Sequence, residues 1–139
     1  MERVKKNLYI VLTFSLLLFL PACAEENPQT PVQNSAPAVN TPQNVNFSNC
    51  IRTFGINYEK LFLLTEAAIA SNNFQVEELQ TQGGYIVFSV AQYKFLATVM
   101  AFGNKAILKI TPCNNNYTFP PVIVRNIFKY IEVNQYKKF

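Results

Sequence analysis

The chain has 139 residues, with 12 Lys or Arg against 8 Asp or Glu, a formal net charge of +4 at pH 7, and half of it is hydrophobic. That length fits one domain. It contains no His, no Trp and no Asp, which excludes a His-based acyl-transfer triad and a His-ligated metal centre. Its three cysteines are too scattered to form a metal cluster instead.

Residues 1–22 read as a targeting segment. Arg3, Lys5 and Lys6 form a basic start. An apolar run of about thirteen residues follows, from Leu8 to Leu20, short of the roughly twenty that a bilayer-spanning helix needs. Leu20-Pro21-Ala22-Cys23 then resembles the lipobox of bacterial lipoproteins, with Leu at −3, a small residue at −1 and Cys at +1. Pro21 stands where that family more often has Ala, Ser, Thr or Val. The resemblance implies that residues 1–22 are a lipoprotein signal peptide and that Cys23 becomes the lipidated first residue. Acyl chains such as palmitate on Cys23 would anchor the protein, each buried CH₂ contributing about 0.8 kcal/mol. Ala24 replaces the Asp that retains enterobacterial lipoproteins in the inner membrane, so the resemblance implies the outer membrane, with the periplasmic or surface side left open. Glu25-Glu26 is similar to the acidic export signal of some Bacteroidota lipoproteins. The alternatives are an ordinary secretory signal cut after Ala22 or Ala24, and an uncleaved anchor. After processing, nine basic and seven acidic residues remain, a side-chain charge of +2. The basic balance therefore belongs mostly to the signal and points to no nucleic-acid partner.

Residues 23–48 read as the lipidated Cys followed by a disordered tether. Pro28, Pro31, Pro37 and Pro42 are spread among Gln, Asn, Thr, Ser and Ala. Such a composition buries too little surface to offset the cost of ordering. At about 3.1 Å per residue its reach is up to roughly 75 Å.

Residues 49–139 read as a single domain. Asn57 is a good helix N-cap, and Tyr58, Leu61, Leu64, Ala68 and Ile69 recur at helical spacing up to Ser71. Phe74 to Gln82 reads as a strand, Gly83-Gly84 as a hairpin turn, and Tyr85 to Ala91 as a second strand. Gln92-Tyr93-Lys94 supplies the next turn, Phe95 to Phe102 the third strand, and Gly103-Asn104-Lys105 a further turn. Ala106 to Thr111 alternates as a fourth strand, and Pro112 ends it. Pro120-Pro121 can open a second helix, carried by Val124, Ile127, Phe128 and Ile131 and ending near Val133.

The expected fold class is α+β: a two-layer sandwich ordered helix, four-stranded antiparallel meander, helix. The opening, Tyr58-Glu59-Lys60 through Phe74-Gln75-Val76 to Gly83-Gly84-Tyr85-Ile86, resembles the helix-grip domains of small envelope lipoproteins such as BamC. That resemblance implies an accessory or scaffold role and carries over no site residues.

With Cys23 lipidated, Cys50 and Cys113 remain. In an oxidising compartment such a pair forms a disulfide, here closing a loop of about sixty residues worth roughly 4 kcal/mol. The alternative is two buried free thiols. No Cys-x-x-Cys suggests redox catalysis.

No catalytic constellation is visible. Glu77 and Glu78 are adjacent on a strand, so their side chains are expected on opposite faces. Glu59 and Glu66 read as a solvated helix face, and neither Ser71 nor Ser89 has a His to activate it. No metal or cofactor is expected, and the chain reads as a non-enzyme. Asn114-Asn115-Asn116 with Tyr117 could contact a sugar or serve as ordinary loop chemistry.

The unusual feature is the sheet, whose strands are apolar at both alternating sets. Helices cover one face, so the second should be polar. A candidate interaction face is therefore Tyr85, Val87, Phe95 and Val99, unless a helix covers each face. The leading expectation is a lipid-anchored envelope protein acting as a non-catalytic protein–protein interaction or accessory module, with an envelope protein as partner. The alternatives are a carrier or sensor of a small apolar ligand, with a cavity over roughly 300 Å³ lined by Phe, Leu and Ile, and an inhibitor or immunity lipoprotein acting through Asn114 to Phe119.

Overall fold

The computed structural model describes residues 36–138, so the targeting segment, Cys23 and the first part of the expected tether lie outside the described residues. The first helix, α1 (Tyr58–Ser71), begins where its cap dictates. The Asn57 side chain accepts a hydrogen bond from the Lys60 N–H at 3.0 Å, and Glu59 lies in the positive first turn. It ends at Asn72 and Asn73, the latter at φ 56°, a conformation Asn tolerates better than most residues. The second helix, α2 (Pro121–Asn134), starts on a Pro whose missing N–H costs nothing in a first turn.

Five antiparallel strands form the sheet: β1 (Ile51–Phe54), β2 (Gln75–Gln80), β3 (Tyr85–Val90), β4 (Tyr93–Phe102) and β5 (Lys105–Pro112), in spatial order β1-β5-β4-β3-β2. The α+β class and the β2–β5 meander match the sequence expectation, but the sheet has a fifth strand. β1 follows a short 3-10 turn, Phe47–Cys50, and pairs with β5 from Ile51↔Lys109 to Phe54↔Ala106. Four residues with two apolar ends carry no readable alternation, and long-range pairing makes the strand.

Both helices pack on one sheet face. Leu61, Leu64 and Ile69 of α1 and Ile127 and Ile131 of α2 share one core with Ile86, Phe88, Phe95, Ala97, Leu108 and Ile110. An aromatic row runs through it: Phe74 stacks on Phe88 at 6.0 Å, Phe88 meets Phe95 at 5.4 Å, and Phe95 meets Phe119 at 5.2 Å between ring centroids. Among the described residues no helix packs on the other side of the sheet, the outer face.

Two corrections concern the chain's first part and its cysteines. The expected tether was to run to residue 48, but residues 36–48 are bonded to the domain. Val39 bridges to Cys113, the Asn40 N–H donates to Pro112 O at 2.9 Å, and the Asn114 N–H donates to Ala38 O at 2.9 Å. Asn44 acts as a side-chain strand: its Nδ2 donates to Phe119 O at 2.9 Å and its Oδ1 accepts from the Phe119 N–H at 2.8 Å. Asn side chains here supply backbone-like pairing that apolar patterning cannot reveal.

The Cys50–Cys113 disulfide is not formed, and both cysteines are buried free thiols. Cys50 belongs to the helix-side core, whereas Cys113 sits with Val87 and Leu96 on the outer face. Cys50 ends the 3-10 turn before β1, and Cys113 follows β5 on the other side of the sheet.

Candidate functional site

The four residues expected to share an interaction face do not. Tyr85 and Val87 lie on the outer face, but Phe95 and Val99 point into the helix-side core, where they are 0% and 3% exposed. The register explains this: Val87 pairs with Leu96 and Tyr85 with Thr98. The β3–β4 turn has two residues, Ala91 and Gln92, with Ala91 at φ 55°, and not the expected three. One residue fewer in the turn moves every β4 side chain to the opposite face. The outer face therefore carries Val87, Leu96 and Cys113, all buried, with Met100 and Phe102 exposed on β4 and Ile51 exposed on β1.

Charged groups gather at one end of that face. A bulge in β2 between Val76 and Glu78 interrupts the strict alternation. Glu77 and Glu78, expected on opposite faces, consequently line one groove of about 560 Å³ with Val87, Lys94, Asn114 and Ala36 to Ala38. Glu77 pairs with Lys94 at 2.5 Å, and the Tyr85 hydroxyl donates to Glu78 Oε1 at 2.7 Å. The hydrogen bond from Lys94 holds the Glu77 carboxyl below its ordinary range and raises the Lys94 ammonium above its own. The bond to Glu78 likewise raises the Tyr85 phenol. Burial pushes the Cys113 thiol up to about 11, so it is protonated and poorly nucleophilic at neutral pH. These groups satisfy one another, and the cluster reads as structural.

The Asn114–Phe119 loop is tied down. Asn116 is buried, its Nδ2 donates to Lys94 O at 3.1 Å, and its Oδ1 accepts from the Thr118 N–H at 3.0 Å. The Asn run thus builds the loop, with Asn114 and Asn115 taking the positive φ angles it needs.

A larger depression than the groove at Glu77 and Glu78 lies elsewhere. It is an open groove of about 670 Å³ between α2 and the 3-10 turn with β1. Val45, Val124 and Phe128 supply its apolar floor, and Arg125 and Lys129 stand on its α2 rim. At one end Arg52 of β1 pairs with Glu132 of α2, and its guanidinium lies 4.8 Å from the Phe128 ring centroid. Arg125 and Lys129 are four apart on one helix face and have no ion-pair partner among the described residues. The groove therefore keeps two uncompensated positive charges. The sequence reading missed it, because β1 and Asn44 to Asn49 form one wall; the only advance signal was the Arg125/Lys129 spacing.

Among the described residues no three His, Cys, Asp or Glu side chains come together as a metal site, and no helix is long and apolar enough to cross a membrane. No protein family matches the chain, and no curated protein is significantly similar to it.

Proposed function

We propose that the chain is a lipid-anchored protein of the bacterial cell envelope, held to the membrane through Cys23, whose α+β domain works by non-covalent contact with an envelope protein. The groove along α2 is the observation that carries this reading. It joins an apolar floor to a cationic rim, the combination that recognises a protein surface of complementary charge. It is open along its length, unlike the enclosed apolar cavity a small-ligand carrier needs. Domain and anchor then have separate tasks: the acyl chains fix the location, and the groove selects the partner.

The test is photo-crosslinking in bacterial cells producing the full chain, with the crosslinking residue placed at Arg125 in the groove or at Leu63. Leu63 is a control, 58% exposed on α1. A discrete protein adduct in the membrane fraction from position 125 alone is expected. No adduct from position 125, or the same adducts from both positions, would overturn the reading.

A further inference from the structure

The wall of the groove opposite α2 is Asn44 to Cys50 with Arg52 of β1, and β1 is an edge of the sheet. β1 pairs only with β5, and no strand covers its other side among the described residues. Ile51, Arg52 and Thr53 are all exposed. An edge strand presents unpaired backbone N–H and C=O groups, and natural proteins cover, shorten or charge such edges to avoid unwanted pairing. The opposite edge, β2, carries two of those protections, a bulge and the adjacent Glu77 and Glu78. β1 is short and bears a charge at Arg52, but that charge is turned inward, over Phe128 and onto Glu132. Beyond its shortness and Arg52, the edge that flanks the groove has no bulge and no carboxylate that would repel an acidic strand.

An exposed edge strand beside an amphipathic helix, with a groove between them, is the geometry in which an extended peptide adds as a further strand. We infer that β1 and α2 together receive an extended acidic segment of the partner protein, as a sixth strand beside β1. This inference rests on the interaction reading above.

The chemistry of the segment follows from the walls. Arg52 and Phe54 face the helix side of the sheet, and Ile51 and Thr53 face the outer side, as their partners Leu108 and Ala106, Lys109 and Ile107 require. Alternate side chains of an added strand would therefore reach the α2 groove, and the others would lie beside Ile51, itself 37% exposed. The groove-side positions meet Val124 and Phe128 below and Arg125 and Lys129 on the rim, so they take acidic side chains whose methylenes lie over the apolar floor, and the positions beside Ile51 take apolar ones. The groove runs along α2 from Pro121 to Glu132. At about 1.5 Å per helical residue that is roughly 16 Å, the length of about five extended residues.

The experiment uses the full chain in detergent micelles. The probe is a fluorescein-labelled, terminally blocked peptide of about seven residues alternating Val and Glu, titrated by fluorescence anisotropy. Saturable binding is expected, weakening at least about tenfold with Arg125→Glu/Lys129→Glu, with the Lys-for-Glu peptide, and with a Val–Glu peptide N-methylated at every residue. The methylated peptide keeps side chains and charge but cannot form the ladder, so it tests strand addition without touching the fold. Equal binding of methylated and unmethylated peptides would overturn strand addition, and equal binding of the Lys peptide would overturn the acidic assignment. If the chain's own Glu25-Glu26 fills the groove, Glu25→Gln/Glu26→Gln raises peptide affinity, which would overturn the partner as occupant. Absence of peptide binding alongside a persistent adduct from position 125 would refute strand addition alone. Absence of both would refute the interaction reading as well.

Discussion

Thr111 offers a direct test of how the outer face is packed. It is fully buried, it pairs in register with Leu96, and its hydroxyl has no hydrogen-bond partner among the described residues. A buried hydroxyl without a partner costs about 1–3 kcal/mol. Thr111→Val keeps the β-branched shape and replaces the hydroxyl by a methyl group, so it should stabilise the domain by about 1–2 kcal/mol. For a folded unit of this size each kcal/mol moves the melting temperature by about 4–8 °C, which predicts a rise of roughly 5–15 °C. Thr111→Ser keeps the hydroxyl but removes the buried methyl and should cost about 1 kcal/mol. Thermal and urea unfolding followed by circular dichroism read both, and the urea midpoint should shift at constant slope. A Thr111→Val protein no more stable than its parent would refute the reasoning, because it would mean the hydroxyl is already satisfied.

Further outcomes follow from single contacts. Gly84 sits at φ +67°, and an added Cβ would lie 2.8 Å from Val99 O, whereas Gly103, at φ +62°, has open space around it. Gly84→Ala should therefore destabilise clearly more than Gly103→Ala, whose cost is backbone strain of about 1–2 kcal/mol, and urea midpoints compare them. The depressed Glu77 carboxyl gives stability that is present above the ordinary Glu range and is lost as pH falls through its lowered value. Glu77→Gln should lose under about 1 kcal/mol at pH 7 and show a flatter acid limb in a stability-versus-pH series. Iodoacetamide at pH 8 should leave Cys50 and Cys113 unlabelled in the folded protein and label both in urea, since both are buried and free; a Cys50–Cys113 peptide under non-reducing conditions would contradict this. Val99→Lys should unfold the domain by burying an unpaired charge, while Phe102→Lys, at a residue 63% exposed, should change stability by under about 0.5 kcal/mol in the same unfolding assay.

Much of the fold was legible because local chemistry and long-range packing agreed. Asn57 followed by apolar residues at helical spacing specifies α1, and Gly103-Asn104 and the alternation from Ala106 specify the β4–β5 hairpin. The illegible parts have definite causes. β1 is held by pairing rather than pattern, and residues 36–48 are held by Asn side chains and isolated backbone bonds, with buried Pro42 and half-buried Val45 their apolar contacts. The interaction face was misassigned because the turn at Ala91-Gln92 is one residue shorter than its polar flanks suggested, which exchanged the two sides of β4. The bulge in β2 had the same effect on Glu77 and Glu78. The groove was hidden for a further reason: its walls are more than sixty residues apart in sequence, at Arg52 and Pro121.

Every role proposed for the groove depends on where the domain is held. The mass of the N-terminal peptide of the mature protein, isolated from membranes of producing bacteria, tests this most directly. The expected result is a chain that begins at Cys23 and carries a diacylglyceryl group. A chain with unmodified Cys23, or one that retains residues 1–22, would contradict the lipid anchor and with it the proposed place of the protein in the envelope.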